Sequence, residues 1–295
     1  MRVLSFGSLN IDNVYAVDHI VQPGETQTAC SLSIYPGGKG LNQSIALAKA
    51  GVEVYHAGQV GDDGELLLET LQKAHVRTDY VREVPGRSGH AVIQLDKNAQ
   101  NCIIIHGGTN RTISETMIDS VLSHFVAGDL ILLQNEINGL DMIIDKAYAR
   151  GMLVCLNPSP YDDALKAIDM GKIAIFLMNE VEGWQMTGVK EPEAIIETIR
   201  RRYPETKTVL TLGGDGSLYY DGSEIIRQAI YPVKAVDTTA AGDTFTGYFL
   251  AGFIEGRPSK EILDRASRAA AIAVSRMGAA VSIPTTEEVD AFVLS

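Results

Sequence analysis

The sequence predicts an α/β protein whose mostly parallel central sheet is covered by helices on both faces. Short apolar runs alternate with amphipathic helical stretches along its middle and C-terminal parts, which is the pattern of βαβ units. Several helical stretches are preceded by Ser, Thr or Asp or are closed by Gly. A length of 295 residues suits one large domain or two small ones, and we favour a single domain over residues 1–295 with a small appendage.

Six apolar runs are predicted as strands, and four of the stretches between them as helices. The predicted strands are residues 2–6, 53–57, 130–134, 153–157, 174–178 and 208–212. The predicted helices are residues 40–50, 65–74, 114–125 and 193–202.

The appendage is predicted where this alternation breaks. Apolar and smaller or polar residues alternate over residues 30–34 and 91–95, and a second β-rich run follows at residues 102–106. These runs predict an antiparallel flap contributed by about residues 13–36 and 88–107. The flap is interpreted as a lid over an active site, with an edge extension of the main sheet as the alternative.

Composition and charge exclude several classes of protein. Hydrophobic residues make up 45% of the chain and charged residues 21%, which is typical of a globular protein. The net charge of -12, without a run of Lys or Arg, argues against nucleic acid or an anionic membrane as a partner. Three widely spaced cysteines, no signal-peptide pattern and no long apolar stretch lead us to expect a cytoplasmic protein.

A small-residue segment near the C-terminus, VDTTAAGDTFTG at residues 236–247, opens a long apolar stretch. Ala240, Ala241 and Gly242 come directly before a predicted helix, where uncovered backbone N–H groups and the helix dipole favour a bound phosphate. Asp243 follows them. It is either an ordinary helix-start residue or a general base aimed at the group that attacks the phosphate.

A second segment, YPGGKGLNQSIALAKAG at residues 35–51, predicts a tight turn followed by a helix. Lys39, Asn42 and Gln43 lie near the first turn of that helix, where their polar groups could bind hydroxyls. The alternative is a turn with an ordinary helix cap. The commonest nucleotide motifs, the P-loop, the protein-kinase motifs and a glycine fingerprint after the first strand, are absent.

These two segments together resemble the ribokinase branch of the carbohydrate kinase family, which also includes fructokinases, adenosine kinase and the minor phosphofructokinase. The motifs GGKGLNQ and DTTAAGDTF carry the resemblance, which extends over essentially the whole chain. It implies a three-layer α/β fold with a small β-sheet lid. It also implies transfer of the γ-phosphate of ATP to a sugar hydroxyl, with D-ribose as the leading substrate and D-ribose 5-phosphate as its product.

The resemblance assigns the reacting groups and the sugar contacts. Asp243 matches the base that takes the proton of the sugar hydroxyl, and the amides of Ala240, Ala241 and Gly242 match the anion hole. The positions that match hydroxyl-binding residues are Asn10, Asp12, Gly38, Lys39, Asn42 and Glu136. Carboxylates and amides suit a neutral polyol. Glu136 alone would be an ordinary loop carboxylate, but it follows a strand at the edge where α/β sheets bind ligands.

The same resemblance assigns the nucleotide and Mg²⁺ positions. Thr211, Gly213 and Gly216 in the motif TLGGDG are expected along ATP. Asn179 and Glu182, in the pattern N-x-x-E, are expected to support Mg²⁺ and the phosphates through water, with helix capping as the alternative. Ser267 stands near the adenine position where Asn is expected, so we expect different contacts to the base.

A K⁺ site and a homodimer are further implications of the resemblance. The positions matching the K⁺ site beside the anion hole are Asp237, Thr239, Ala273, Arg276, Gly278 and Ser282. The lids of the family pair two subunits, which would cover the edge strands of the flap.

Four alternatives stay open. A phosphosugar kinase would need a cationic cluster, for which only Arg87 and Arg111 lie near the flap. Nucleoside and other sugar kinases belong to the same family. A non-catalytic sugar-binding relative would usually have lost the base or the anion hole, and a dinucleotide-dependent oxidoreductase is disfavoured by the missing glycine fingerprint.

Overall fold

A computed structural model describes residues 1–98 and 100–292. The strands are β1 Val3–Phe6, β2 Asn10–Ala16, β3 Ser31–Gly37, β4 Val54–Val60, β5 Arg77–Glu83, β6 Gly89–Leu95, β7 Asn101–His106, β8 Leu130–Gln134, β9 Leu153–Asn157, β10 Ile175–Asn179, β11 Lys207–Thr211, β12 Ser217–Tyr220 and β13 Ile225–Gln228. The helices are α1 Lys39–Lys49, α2 Glu65–Lys73, α3 Glu115–Leu122, α4 Leu140–Ala149, α5 Glu180–Thr187, α6 Pro192–Arg202, α7 Ala241–Ile254, α8 Ser259–Val274 and α9 Thr286–Asp290.

The central sheet has the strand order β13-β12-β11-β10-β9-β8-β1-β4-β5. Its strands are parallel from β11 through β5, and β12 and β13 are added antiparallel at one edge. The parallel strands end at one edge of the sheet, so the residues that follow them are brought together. The predicted α/β class with a mostly parallel sheet is confirmed.

Helices cover both faces of the central sheet, because its strands alternate apolar side chains between two cores. Along β1, Val3 packs into one apolar cluster while Leu4 and Phe6 pack into the other. The first cluster takes its helical side chains from α1, α2, α7, α8 and α9. The second takes them from α3, α4 and α6. The result is three layers, as expected.

Helix α7 is apolar on nearly all sides because it packs between α1 and α8 within one of the helical layers. Its Gly247 lies against α1 so closely that an added Cβ would be 2.3 Å from the Cβ of Ala46. Only glycine allows this approach. The first turns of α1 and α7 therefore lie side by side, which brings the two predicted functional segments together.

A smaller sheet with the strand order β3-β2-β6-β7 is separate from the central one. Strand β2 pairs antiparallel with β3 and parallel with β6, and β6 pairs antiparallel with β7. The alternative of an edge extension of the main sheet is therefore wrong, and the predicted small β-sheet is confirmed. The sheet is mixed and not antiparallel as predicted, because β2 and β6 run in the same direction. At least half of the surface is exposed on five of its aliphatic side chains, Leu32, Ile34, Ile103, Ile104 and Ile105.

Within the part of the chain that the structure describes, no helix has the length and apolar character needed to cross a membrane.

Candidate active site

A cavity of about 220 Å³ opens at the carboxyl ends of the central strands, beside the first turns of α1 and α7. Seven of the predicted site residues line it: Lys39, Asn179, Glu182, Thr211, Ala240, Gly242 and Asp243. Its other lining residues are Asn157, Ser159, Leu177, Met178, Val209, Thr238, Phe245 and Thr246. The structure thus brings together residues from both predicted segments and from the ends of β9, β10 and β11.

The start of α7 has the geometry of an anion site. Ala240, the residue before the helix, has φ 60° and ψ 9°, a left-handed conformation that costs a non-glycine residue about 1 kcal/mol or more. Its side chain cannot cap the helix, and no described side chain does so. The N–H of Ala241 makes a long bond of 3.3 Å to the carbonyl of Thr238. The helix dipole at this end of the cavity favours a negative group.

The carboxylate of Asp243 is buried and is held by two amides of α1. Asn42 Nδ2 donates to Oδ2 over 3.1 Å, and Gln43 Nε2 donates to Oδ1 over 2.8 Å. Asn42 is predicted as a sugar contact, and in the structure its amide nitrogen bonds the proposed base. Its Oδ1 has no partner among the described residues.

Glu136 follows β8 and links the loop between β1 and β2 to the start of α1. Its Oε2 accepts a hydrogen bond from the hydroxyl of Ser8 and another, over 3.0 Å, from the backbone N–H of Lys39. The carboxylate therefore stabilises the start of α1, where uncapped N–H groups favour a negative charge. This use of Glu136 as a helix cap was not predicted, and it ties a predicted sugar residue to the turn that precedes α1.

Asp12 lies on β2 beside the turn at the end of β3. An added Cβ at Gly37 would lie 2.0 Å from Asp12 Oδ2, so a side chain at this position would displace the carboxylate. Burial, with a smaller contribution from the charge of Glu136, raises the pKa of Asp12 to about 7. The carboxyl group can therefore change charge near neutral pH.

Asn10 is fixed by Asn110, a residue that the sequence analysis missed. Asn110 Nδ2 donates to Asn10 Oδ1 over 2.7 Å, and Asn110 Oδ1 accepts from the backbone N–H of Leu9. Gly38, the residue before α1, has φ 93°, and an added Cβ there would be 3.1 Å from the backbone nitrogen of Asn10. No sequence motif marked Asn110, which lies in the short 3-10 helix Gly108–Arg111.

Lys39 places a cation among the carboxylates of the site. Burial lowers the pKa of its ammonium group, but the charges of Asp243, Glu136 and Glu182 raise it more, so the net shift is upward. Lys39 lines the cavity and stays protonated at neutral pH. A fixed positive charge here can neutralise part of a phosphate's charge.

On the side of β10, Asn179 and Glu182 form a reciprocal cap of α5. Asn179 Oδ1 accepts from the backbone N–H groups of Val181 and Glu182, and Glu182 Oε2 accepts from the backbone N–H of Asn179. The capping alternative is thus present in the structure. Both side chains also line the cavity, so a role toward Mg²⁺ stays a prediction.

The loop after β11 contains two glycines with positive φ angles. Gly213 and Gly216 have φ values of 52° and 93°. Thr211 lines the cavity from the end of the strand. Ser267 is buried on α8 and is not among the cavity-lining residues, so its predicted place near adenine stays a prediction.

The predicted K⁺ positions lie on the segment before α7 and on the segment from the end of α8 to Ser282. Hydrogen bonds of Asp237 connect these two segments. Asp237 Oδ1 accepts from the backbone N–H and the hydroxyl of Thr239, and Oδ2 accepts from the backbone N–H of Gly278. Partial burial raises the pKa of Asp237, but these bonds outweigh it and lower the pKa. Of the remaining predicted positions, Ala273 lies near the end of α8, and Arg276 and Ser282 lie in the loop that contains Gly278.

No cluster of three or more His, Cys, Asp or Glu side chains that could hold a metal occurs among residues 1–98 and 100–292. Glu182, with Asn179 and Asn157 beside it in the cavity, fits contact through the ion's water shell, which Mg²⁺ usually keeps in part.

Two further polar residues of the cavity could have been found from the sequence. Asn157 is the last residue of β9 and Ser159 follows it, at the edge of the sheet where parallel strands place ligand-binding groups. Asn157 Oδ1 accepts from the backbone N–H of Ser159, which stabilises this turn. The signal was the position of a polar residue at a predicted strand end.

The chain is similar to known proteins over nearly its whole length. The model of the pfkB family carbohydrate kinase matches residues 1–286. The ribokinase of Bacillus subtilis is 34% identical over 294 residues, covering 98% of each chain. The structure of a ribokinase from Cryptococcus neoformans var. grubii serotype A in complex with ADP superposes with a TM-score of 0.87 at 31% identity, covering 98% of each chain. That of Arabidopsis thaliana ribokinase complexed with ribose and ATP superposes with a TM-score of 0.85 at 32% identity, covering 99% of each chain.

Proposed function

This chain belongs to the pfkB family of carbohydrate kinases, and we propose that it transfers the γ-phosphate of ATP to D-ribose, giving D-ribose 5-phosphate and ADP. The observation that carries the proposal is the buried carboxylate of Asp243 at the uncapped start of α7, on the cavity that Lys39 also lines. The ribokinases with bound ADP, or with ribose and ATP, share this fold over nearly their whole length and support the choice of substrates.

In the proposed reaction, the 5-hydroxyl oxygen of ribose attacks the γ-phosphorus of ATP and the bond from that phosphorus to the β,γ-bridging oxygen breaks. The hydroxyl proton passes to Asp243, and the bridging oxygen leaves with ADP. Because the transition state of phosphoryl transfer is loose, placement and charge neutralisation matter more than a strong base. A buried aspartate held on both oxygens suits this role.

Positive groups on both sides of the cavity would neutralise the transferred phosphoryl group. The amides of Ala240, Ala241 and Gly242 supply the helix start, and Lys39 supplies a full charge. Mg²⁺, held through water near Glu182 and Asn179, would neutralise the remaining charge of the ATP phosphates. Thr211, Gly213 and Gly216 are proposed to lie along the nucleotide, and Ser267 near its base.

The sugar is proposed to bind between the smaller sheet and the start of α1. Asp12, Asn10 and Glu136 would accept hydrogen bonds from its hydroxyls, and Gly38 allows close approach to the backbone. Asn42 would contact both the sugar and Asp243. The smaller sheet would then act as the lid, with Asp12 on its strand β2 near Glu136.

We expect K⁺ to activate the enzyme, because the proposed K⁺ site adjoins the start of α7. Asp237 links the segment before Ala240 to the loop at Gly278, so a cation bound there would order the anion hole. Turnover should rise when K⁺ replaces a bulky organic cation, and Na⁺ should be a poorer substitute. Steady-state rates at constant ionic strength measure this, and equal rates with all three cations would contradict it.

A homodimer through the smaller sheet is proposed from its exposed apolar side chains. Leu32, Ile34 and Ile103 to Ile105 would be covered by a second copy, since an uncovered apolar sheet with free edges is unfavourable in water. Sedimentation at micromolar concentration should therefore give twice the mass of the chain. A fully active monomer would contradict the proposal.

A phosphosugar as the acceptor is disfavoured by the two arginines near the smaller sheet. The Arg87 side chain is 79% exposed and lies 3.7 Å from Asp63, and Arg111 donates to the backbone carbonyl of Ile137. Each guanidinium group thus already has a partner within the protein. The three free cysteines and the use of ATP support a reducing compartment, and we propose the cytoplasm.

Release of ADP, measured with a coupled assay across ribose, deoxyribose, fructose, nucleosides and phosphosugars, tests the choice of substrate. Ribose should give the highest kcat/KM. Preference for a nucleoside or a phosphosugar would overturn the assignment to ribose and leave the family assignment standing.

A further inference from the structure

A chain of three buried side chains connects Asp243 to the central sheet. Gln134 Nε2, at the end of β8, donates to Gln43 Oε1 over 2.7 Å, and Gln43 Nε2 donates to Asp243 Oδ1 over 2.8 Å. Both glutamines are completely buried. Glutamine is seldom fully buried, and each such amide must be oriented by its hydrogen-bond partners.

The direction of every bond in this chain follows from the charge at its end. An ionised carboxylate only accepts, so Gln43 must turn its NH₂ group toward Asp243 and its oxygen away. That oxygen then needs a donor, and Gln134 supplies one. If Gln134 offered no donor, none of these hydrogen bonds would prevent the Gln43 amide from turning over and placing its oxygen against the carboxylate.

Gln134 itself is held in a narrow space. An added Cβ at Gly7 would lie 2.2 Å from Gln134 Oε1, and this oxygen has no hydrogen-bond partner among the described residues. An unpaired buried acceptor costs about 1–3 kcal/mol, whereas an aliphatic side chain at this position would not carry that cost. The polar side chain is therefore unfavourable for stability by itself, which points to a role in the site.

We propose that Gln134 is a positioning residue, which acts through Gln43 to fix the carboxylate of Asp243 for proton transfer. The inference rests on the proposed function, because it takes Asp243 as the base. Gln134 lies on strand β8, so these hydrogen bonds connect a carboxylate on α7 to the central sheet. Misplacement of a reacting group by about 1 Å can lower a rate by about 10²-fold.

The first test is Gln134→Met, which keeps the length of the side chain and removes the donor. We expect kcat to fall by about 10- to 10²-fold while KM for ribose and for ATP stays within about twofold, because Gln134 contacts neither substrate in the proposed site. Gln59→Met is the matched control. Gln59 is another buried glutamine on a strand of the central sheet, but it bonds Met117 and Thr112 outside the cavity, and its kcat should stay near that of the wild type.

A double-mutant cycle separates positioning from a general loss of packing. After Gln43→Met, the further change Gln134→Met should lower kcat by less than about twofold, because the intermediate amide is already gone. Additive losses, an unchanged kcat in Gln134→Met, or an equal loss in Gln59→Met would each overturn the proposal. Asp243→Asn is measured alongside: if that variant turns over normally, the proposed function itself fails, and this outcome is distinct from the others.

A second variant keeps the proposal testable if Gln134→Met does not fold. Gln134→Leu also removes the donor and has no polar atom left unpaired, so Gln43 Oε1 would lose its hydrogen bond and the Gln43 amide would be free to turn over. The loss of kcat should exceed 10-fold, again with little change in either KM. Normal turnover in this variant would overturn the proposal.

Discussion

Asp243→Asn is expected to lower kcat by about 10²- to 10⁴-fold while the protein stays folded. The amide cannot take the proton of the sugar hydroxyl. It also places an NH₂ group where Asn42 or Gln43 now donates, so one of these bonds is lost. Steady-state kinetics with ribose and ATP measure the effect, and thermal unfolding with and without ADP shows whether the fold and the nucleotide site remain.

The control for this variant is Asp145→Asn, an exposed carboxylate on α4 that does not line the cavity. Its turnover should stay near that of the wild type. Near-normal turnover in a well-folded Asp243→Asn variant would remove Asp243 from the mechanism.

Asp12→Asn is expected to lower kcat/KM for ribose by at least about 10-fold and to leave ADP affinity, measured without sugar, almost unchanged. An ionised carboxylate can accept from two neighbouring hydroxyls, and each bond to a charged acceptor is worth about 1.5–3 kcal/mol. The amide keeps one acceptor and loses at least one such bond. Normal use of ribose by the variant would contradict the proposed sugar site.

The same substitution should raise stability in the absence of ligand above neutral pH. Because the pKa of Asp12 is about 7 in the folded protein and 3.8 ordinarily, the unfolded chain ionises first. The free energy of unfolding contributed by this group therefore falls as the pH rises from about 4 to about 7, and it stays low above that. Asp12→Asn removes this penalty, so denaturant unfolding should show a gain of roughly 1–4 kcal/mol at pH 8 and little at pH 4. An equal gain or loss at both pH values would contradict it.

Most of the fold could be predicted because each element carries a local signal. Strands β8 and β9 begin and end at the predicted residues, and β1, β10 and β11 differ by a single residue at one or both ends. The antiparallel edge formed by β12 and β13 was missed, since these are runs of only four residues each. Strand ends are set by hydrogen-bonded neighbours, which a single sequence does not contain.

The site could be predicted as a set of residues but not as a network. The motifs indicated Asn42 and Asp243 as separate site residues. Their hydrogen bond joins residues about 200 positions apart in the sequence, and it forms because α1 and α7 approach each other closely where Gly247 meets Ala46. The left-handed Ala240 could not be foreseen either, because alanine rarely adopts this conformation. Local patterns report chemistry, but tertiary packing decides which groups touch.

The most direct test of the proposed activity is identification of the product formed from ribose and ATP. We predict equimolar ADP and ribose 5-phosphate, distinguished by the phosphorus resonance of the ester and its coupling to the two protons on carbon 5. The reaction should be about 10²- to 10⁴-fold slower in Asp243→Asn and should depend on Mg²⁺. Phosphorylation at another carbon would contradict the proposed placement of the sugar, and hydrolysis of ATP with no sugar phosphate formed would contradict the central claim.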